Sequence, residues 1–347
     1  MTTDKAYCMS SFLMFRSIVD DSKTFQPGIV PQLYRDEHER LPVCTSGELE
    51  KILRSCVMQA VEQGPCALAL SGGIDSAILA KYMPKGSVAY TFRCRVPGIE
   101  VTDEVPQAAL YAQACGLEHR VIEIHWEDFE KFAPLLMRRK GAPIHSIEVQ
   151  IYLAACRAKA DGFDGLIFGE SADVNFGGHD GLLSRDWRMG EFIDRYSYVL
   201  PHRALREPRV IVEPFLPYEK DGWIDAHEFI RHEYYRESMG SYRNACDSAG
   251  IRFVAPYAHA FLDGALDYVR VRGGESKYLV REIFARLYPE FTAPKKIPMP
   301  RPMNEWLRDW CGPVRPEFYP HCTDDMTGDQ RWLIWALERY LDLIDGE

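Results

Sequence analysis

The stretch Cys66-Ala67-Leu68-Ala69-Leu70, followed at once by Ser71-Gly72-Gly73-Ile74-Asp75-Ser76, constrains this chain more than any other feature. A short apolar run bounded by a turn reads as a buried strand, and the residues after it, through Met83, continue as a helix. Two adjacent glycines let the backbone approach a ligand closely at the turn. The first N–H groups of the helix, with the Ser71 and Ser76 hydroxyls, then form a cradle for an anion. Asp75 is the discordant member, because a carboxylate beside phosphate is repulsive unless it holds a cation such as Mg2+. The lysine of a G-x-x-x-x-G-K-[ST] loop is absent, so this is a phosphate loop of another kind.

Residues downstream repeat the strand–helix alternation. SVAYTFRC (87–94), RVIEIH (120–125) and LIFG (166–169) read as strands, separated by helical patterns over 102–116, 126–139 and 148–160. That spacing predicts a parallel, doubly wound sheet. Upstream, Thr45 with Glu48 has capping-box spacing, and Leu49, Ile52, Leu53, Cys56, Val57 and Ala60 form one helical stripe. Residues 1–44 read as an irregular lead-in and 45–347 as one domain. Within it, 45–185 is an α/β nucleotide-binding core and 186–347 is mostly helical.

In such sheets ligands bind at strand C-termini, at a topological switch point. The segment Phe168-Gly169-Glu170-Ser171-Ala172-Asp173-Val174-Asn175-Phe176-Gly177-Gly178 follows the fourth strand and is expected to face the first loop. Asp173 could add a second carboxylate to a Mg2+ held by Asp75, and Glu170 could face the reacting group. With 41 Lys and Arg against 51 Asp and Glu, the net charge of −10 disfavours broad nucleic-acid binding. No apolar run reaches the ~18 residues of a membrane span, so no membrane contact is expected. The ten cysteines form no C-x-x-C pair and read as reduced thiols of a cytoplasmic protein. His227 and His232, five apart, do not share a helix face and offer no metal spacing.

The first loop resembles the pyrophosphate loop of the N-type ATP pyrophosphatases (PP-loop enzymes), which cleave ATP to AMP and pyrophosphate while adenylating a substrate. The second segment resembles the GEGxDExFGGY motif of the asparagine synthetase C-terminal domain. Val174, Asn175 and His179 depart from that motif and imply a reshaped pocket. Lys277-Tyr278-Leu279-Val280-Arg281-Glu282 is similar to the family's K-Y-x-x-R-E helix. Further on, Lys295 and Lys296 precede Pro302-Met303-Asn304-Glu305-Trp306-Leu307, and the family's spacing selects Lys296. The resemblance implies that Glu170 and Lys296 are catalytic and that Asp75 and Asp173 hold Mg2+. It also implies that ATP contacts Leu70, Ser71, Gly72, Gly73, Asp75, Ser76, Gly169 and, near adenine, Thr91 and Phe92.

Relatives that close β-lactam rings carry tyrosine at the glutamate position, so Glu170 points to amide formation. The stretch 249–257 departs from the family at Arg252 and Val254, and His259 follows where an aspartate is usual, so aspartate does not carry over as the substrate. Full-length relatives begin with a glutaminase domain. Only 44 residues precede the Thr45 helix, and Cys8 lacks an activating fold, so nitrogen is expected from free ammonia, an amine or a separate glutaminase subunit. The resulting expectation is an ATP-dependent ligase that adenylates a small-molecule carboxylate and passes it to ammonia or an amine. Two other readings stay open: a PP-loop enzyme adenylating a nucleotide or base carbonyl, and a non-catalytic nucleotide-binding subunit.

Overall fold

The computed structural model describes residues 1–34, 39–294 and 299–346. Its centre is a sheet of β1 (Cys66–Ala69), β2 (Val88–Cys94), β3 (Glu118–Ile124), β4 (Gly165–Ile167) and β5 (Arg252–Val254). Every pair is parallel, and the spatial order is β5-β4-β1-β2-β3. The chain runs outward from β1 to β3 and then crosses back to β4 on the other side of β1. That reversal opens a crevice beyond the C-terminal ends of β1 and β4, where the two loops singled out in the sequence emerge.

The strands are apolar throughout because both faces of the sheet are covered. Cys66, Leu68 and Leu70 enter one hydrophobic cluster, whereas Ala67 and Ala69 enter a second. Likewise Ile167 belongs to the first cluster and Leu166 and Phe168 to the second, as a two-residue pleat requires. Helices α2 (Ser46–Glu62), α3 (Ile74–Ala80) and α4 (Val105–Cys115) close the first cluster through Leu49, Leu53, Ile78 and Tyr111. Helices α5 (Trp126–Lys140) and α6 (Ile147–Ala160) close the second through Phe129, Leu136 and Ile151. The Thr45 capping box forms as the sequence predicts: the Thr45 hydroxyl accepts from the Glu48 N–H and the Glu48 carboxylate accepts from the Thr45 N–H.

Two expectations need correction. The lead-in is not irregular, since α1 (Lys5–Phe15) lies there with Cys8 to Phe15 all buried. Its sequence CMSSFLMF is apolar all round, so it has no stripe for periodicity to detect; such a helix belongs inside a core. The two serines that interrupt it are satisfied locally, Ser10 donating to the Ala6 carbonyl (2.9 Å) and Ser11 to the Ser17 carbonyl (2.7 Å). Second, the sheet has a fifth strand, and β5 comes from beyond residue 185. Its three residues, opened by Arg252, gave no strand signal, but Arg252 reaches the Ala60 carbonyl (3.0 Å) and the Gln63 amide (3.0 Å), anchoring β5 to the end of α2. At the end of α5, within the basic run Arg138-Arg139-Lys140, Lys140 is buried and donates to Glu148 (2.6 Å).

The rest of the chain is largely helical. Helix α7 (Ala172–Asn175) follows β4. Helix α8 (Tyr235–Ala249), entered through a π turn at Ile230–Tyr234, packs on α5 and α6. Helix α9 (Tyr278–Leu287) packs on α2 and α3, and α10 (Gly328–Asp345) buries Trp332 and Trp335 beside α1 and α5. Short strands also occur outside the central sheet, including an antiparallel set at Trp187–Arg188, Glu219–Lys220 and Trp223–Ile224.

Candidate nucleotide-binding and active site

Beyond Leu70 the chain turns tightly enough for its own hydroxyls to bind its backbone. Ser76 Oγ accepts from the Ser71 N–H (2.9 Å), Ser71 Oγ accepts from the Gly73 N–H (3.1 Å), and the two hydroxyls meet at 3.0 Å. Gly73 caps α3 in an extended conformation with no side-chain bond. The first N–H groups of α3 therefore receive nothing from their cap, and α-helix geometry gives them no partner within the helix. Tyr257 holds the turn from behind by donating to the Asp75 carbonyl (3.1 Å). Gly72 is buried away from the opening, and a Cβ there would lie 3.2 Å from that of Glu104. Glu104 also lines the cleft; burial pushes its carboxyl up to about 7, with the Asp103 charge adding and the Gly72 N–H opposing.

The second loop fits against the first because position 169 has no side chain. A Cβ on Gly169 would sit 2.9 Å from the Ser76 nitrogen and 3.1 Å from the Asp75 Cβ. Glu170 follows and faces the cleft. Ser238, from α8, donates to Glu170 Oε1 (2.6 Å), and the Ser171 N–H and Tyr242 hydroxyl also bond the carboxylate. Burial still raises the Glu170 pKa above the ordinary carboxylate range, aided by the nearby Asp173 charge. Ser171 takes a left-handed φ of 74°, a conformation that costs a non-glycine residue energy and turns the chain into α7. Past α7, Gly178 folds back so closely that a Cβ would lie 2.1 Å from Asp173 Oδ1.

Asp75 and Asp173, on α3 and α7, converge on one cation. Lys277 Nζ lies 2.8 and 2.6 Å from the two Asp75 oxygens and 2.9 Å from Asp173 Oδ1. Lys277 caps α9 with φ 53°, another left-handed non-glycine position. Burial alone would lower its pKa, but the Asp173 and Asp75 charges overcome this and raise it above the usual lysine value. A buried ammonium held by two carboxylates is strongly coupled to them, and removing either partner leaves an uncompensated charge. The same two carboxylates are hard oxygen donors brought together beside a turn that opens a helix, which is the donor set that Mg2+ accompanying phosphates requires. The residues therefore fit the ion.

Of the residues expected to touch ATP, Leu70, Ser71, Gly73, Asp75, Ser76, Thr91, Phe92 and Gly169 line one cleft with Glu170 and Asp173; Gly72 stands behind it. The Thr91 hydroxyl is engaged with the Leu70 carbonyl (2.6 Å) and His119 (2.8 Å), so ligand contact from Thr91 falls to its backbone. Lys296 lies outside the described residues. Sequence reasoning did not place Lys277, Arg281, Ser276 or Glu104 in the site, nor Ser238 and Tyr242 around Glu170. The K-Y-x-x-R-E match singled out Lys277 and Arg281, but only as part of a helix. Ser238 and Tyr242, four apart on α8, had no signal at all.

With this geometry in hand, comparison with known proteins is informative at the level of family. Residues 48–315 match the family model described as asparagine synthase. No curated protein matches the chain. Among solved structures, the chain is similar to the U34-tRNA thiolase NcsA from Methanococcus maripaludis with its [4Fe-4S] cluster. That likeness is at 16% identity and a TM-score of 0.27, covering 72% of this chain and 82% of that one, and it is too distant to carry an argument. The family match spans the first loop, the glutamate loop, α8 and the Lys277 helix together, and the chain belongs to the asparagine synthase family.

Proposed function

We propose that this chain is an ATP-dependent, AMP-forming carbon–nitrogen ligase that joins a small-molecule carboxylate to ammonia or an amine. The observation that carries this reading is the convergence of Asp75, Asp173 and Lys277 beside the Ser71–Ser76 turn, with Glu170 held across the cleft by α8. In this reading a doubly wound sheet presents ATP at its switch point. The triphosphate lies over the Ser71–Ser76 turn and adenine lies near Thr91 and Phe92. Asp75 and Asp173 hold Mg2+, which offsets the charge of the phosphates when bound.

A carboxylate oxygen of the substrate attacks the α-phosphorus, the bond to the bridging oxygen breaks, and pyrophosphate leaves. The amine lone pair then attacks the acyl carbon, AMP departs with the C–O bonding pair, and the nitrogen's proton passes to Glu170. A carboxylate raised by burial is a better proton acceptor than an exposed one. The ammonium of Lys277 lies beside the phosphate turn, where a cation opposes charge developing on the transferred group; Lys296 is proposed for the same task. Nitrogen comes from free ammonia, an amine or a separate glutaminase subunit. The ten free thiols fit a reducing, cytoplasmic setting, and among the described residues no helix is long and apolar enough to cross a membrane.

The test is nucleotide-product analysis. The protein is incubated with Mg-ATP, ammonium and a panel of carboxylic acids, and AMP plus pyrophosphate is resolved from ADP plus phosphate. AMP formed only with a particular acid is the expected result. ADP, or no turnover with any acid, would overturn the ligase reading.

A further inference from the structure

A second cavity, of about 420 Å3, is separate from the cleft around Asp75 and Glu170, which measures about 190 Å3. No lining residue is common to both, but residues close in the chain line each. Met299 lines the first and Arg301 the second, and the Arg301 guanidinium donates to the Met299 carbonyl (3.0 Å). Ser238 and Tyr242 on α8 bond Glu170, while Tyr234, just before α8, lines the second cavity. The glutamate loop itself runs on to His179, whose ring lies 4.3 Å from that of Tyr234.

The lining has a marked chemistry. Three guanidinium groups, Arg16, Arg195 and Arg301, face one wall carboxylate, Asp329. Arg16 is 7% exposed and paired below the cavity with Glu237 (2.7 Å), and Arg301 lies 3.3 Å from Asp329. Arg195 makes no ion pair among the described residues, so the lining keeps a net positive charge. Ser146 Oγ and Arg301 Nε are among the buried polar atoms of the lining with no hydrogen-bond partner among the described residues, and Ser146 is only 1% exposed. Unpaired buried polar groups are costly and are satisfied by ordered water or by a ligand that replaces it. The remaining walls include Tyr234, Tyr198, whose ring carries the Arg16 guanidinium at 3.9 Å, and Trp332, only 1% exposed, whose indole N–H is bonded to the Ile144 carbonyl (3.0 Å). Cavities of ~300 Å3 and more hold ligands with rings, and a four-carbon amino acid would leave most of this one empty.

We propose that the second cavity is the acid-substrate site, and that its acid carries a ring and a second anionic group besides the carboxylate to be adenylated. The second anion, phosphate or carboxylate, meets Arg195 and Arg301, the ring lies along the aromatic side of the lining at Tyr234, and the reacting carboxylate points toward Glu170. This inference rests on the ligase reading for the chemistry but not for the binding.

Two measurements separate the two claims. Calorimetric titration of the full chain without nucleotide would use glucuronic acid 1-phosphate and 4-carboxyphenyl phosphate. Their unphosphorylated counterparts, glucuronic acid and 4-hydroxybenzoate, and aspartate serve as controls, so the two phosphates also distinguish a sugar from an aromatic ring. At least one phosphorylated ring acid should bind at least ~10-fold more tightly than its counterpart and than aspartate. Arg301→Ala and, at an exposed side chain, Arg195→Ala should each erase about 10- to 100-fold of that preference, as hydrogen bonds to charged groups imply. Equal or tighter binding of aspartate, binding of neither phosphorylated acid, or a preference that survives both substitutions would overturn the proposal. Pyrophosphate exchange into ATP is then measured with the same acids. Selective binding without exchange would leave this site standing and sink the ligase reading; exchange driven by aspartate alone would do the reverse.

Discussion

Glu170 and Glu104 are both carboxylates raised by burial, yet the geometry gives them different consequences. Glu170 is fixed by Ser238 and Tyr242 of α8, and in the proposed reaction it serves the step that moves a proton from nitrogen. Glu170→Gln keeps the shape and hydrogen bonding but cannot accept a proton. Amide formation should fall ~10^2- to 10^4-fold while acid-dependent pyrophosphate exchange into ATP persists. Loss of both activities together would instead assign Glu170 to adenylation or to nucleotide binding. Glu104 stands against the phosphate turn with its pKa pushed up to about 7 by burial. Because its folded pKa lies above its unfolded value, its contribution to stability is present at low pH and is lost as pH rises through about 7. A bound polyanion favours the neutral acid still more, so ATP affinity should decline from pH 6 to pH 8. In Glu104→Gln that decline should be smaller; identical profiles for the two proteins would assign the titration elsewhere.

At the scale of elements, the site is the meeting of two loops and two helix ends. Gly169 is where β4 delivers its loop against the start of α3, and the atoms a methyl would meet are backbone and Cβ, which cannot rotate away. Gly169→Ala should therefore cost about 1–3 kcal/mol of stability and weaken ATP binding, read by denaturant unfolding and nucleotide titration. The contrast is Thr45→Ala, which removes the capping box of α2 on the far side of the first cluster. It should cost about 1 kcal/mol and leave catalytic constants unchanged. An activity loss there beyond the loss of folded protein would show that α2 is coupled to the site. Lys277 belongs to the same scale: its left-handed cap conformation is what turns its side chain from the start of α9 onto Asp75 and Asp173.

Across the whole molecule, the first residues and the last helix are one structure. Helix α1 packs on α10, and Phe12, fully buried, belongs to the cluster that lines the second face of the sheet. Phe12→Ala should cost about 3–5 kcal/mol, measured as a shift of the unfolding midpoint. A shift near zero would mean that the lead-in is dispensable to the core. The Ser71–Ser76 turn, the four central-sheet strands that precede residue 185 and the α2 capping box were legible in the sequence because each is local. A glycine pair, a two-residue pleat or a cap declares itself within a few residues of chain. Asp75, Asp173 and Glu170 were legible for the same reason, standing in the turns and helix starts that follow strands. What lay beyond reach was whatever depends on residues far apart in sequence. A helix apolar on every side carries no period, a three-residue edge strand opened by arginine carries no pattern, and the Asp75–Lys277 ion pair spans 202 positions. The sequence by itself determined a parallel sheet with a phosphate turn at its switch point, since backbone geometry and burial dictate those locally. Only the tertiary structure decided which cation stands between the two aspartates, which helix holds Glu170 and that a second, positively charged cavity exists, because those are set by the packing of α8 and α9 on the sheet.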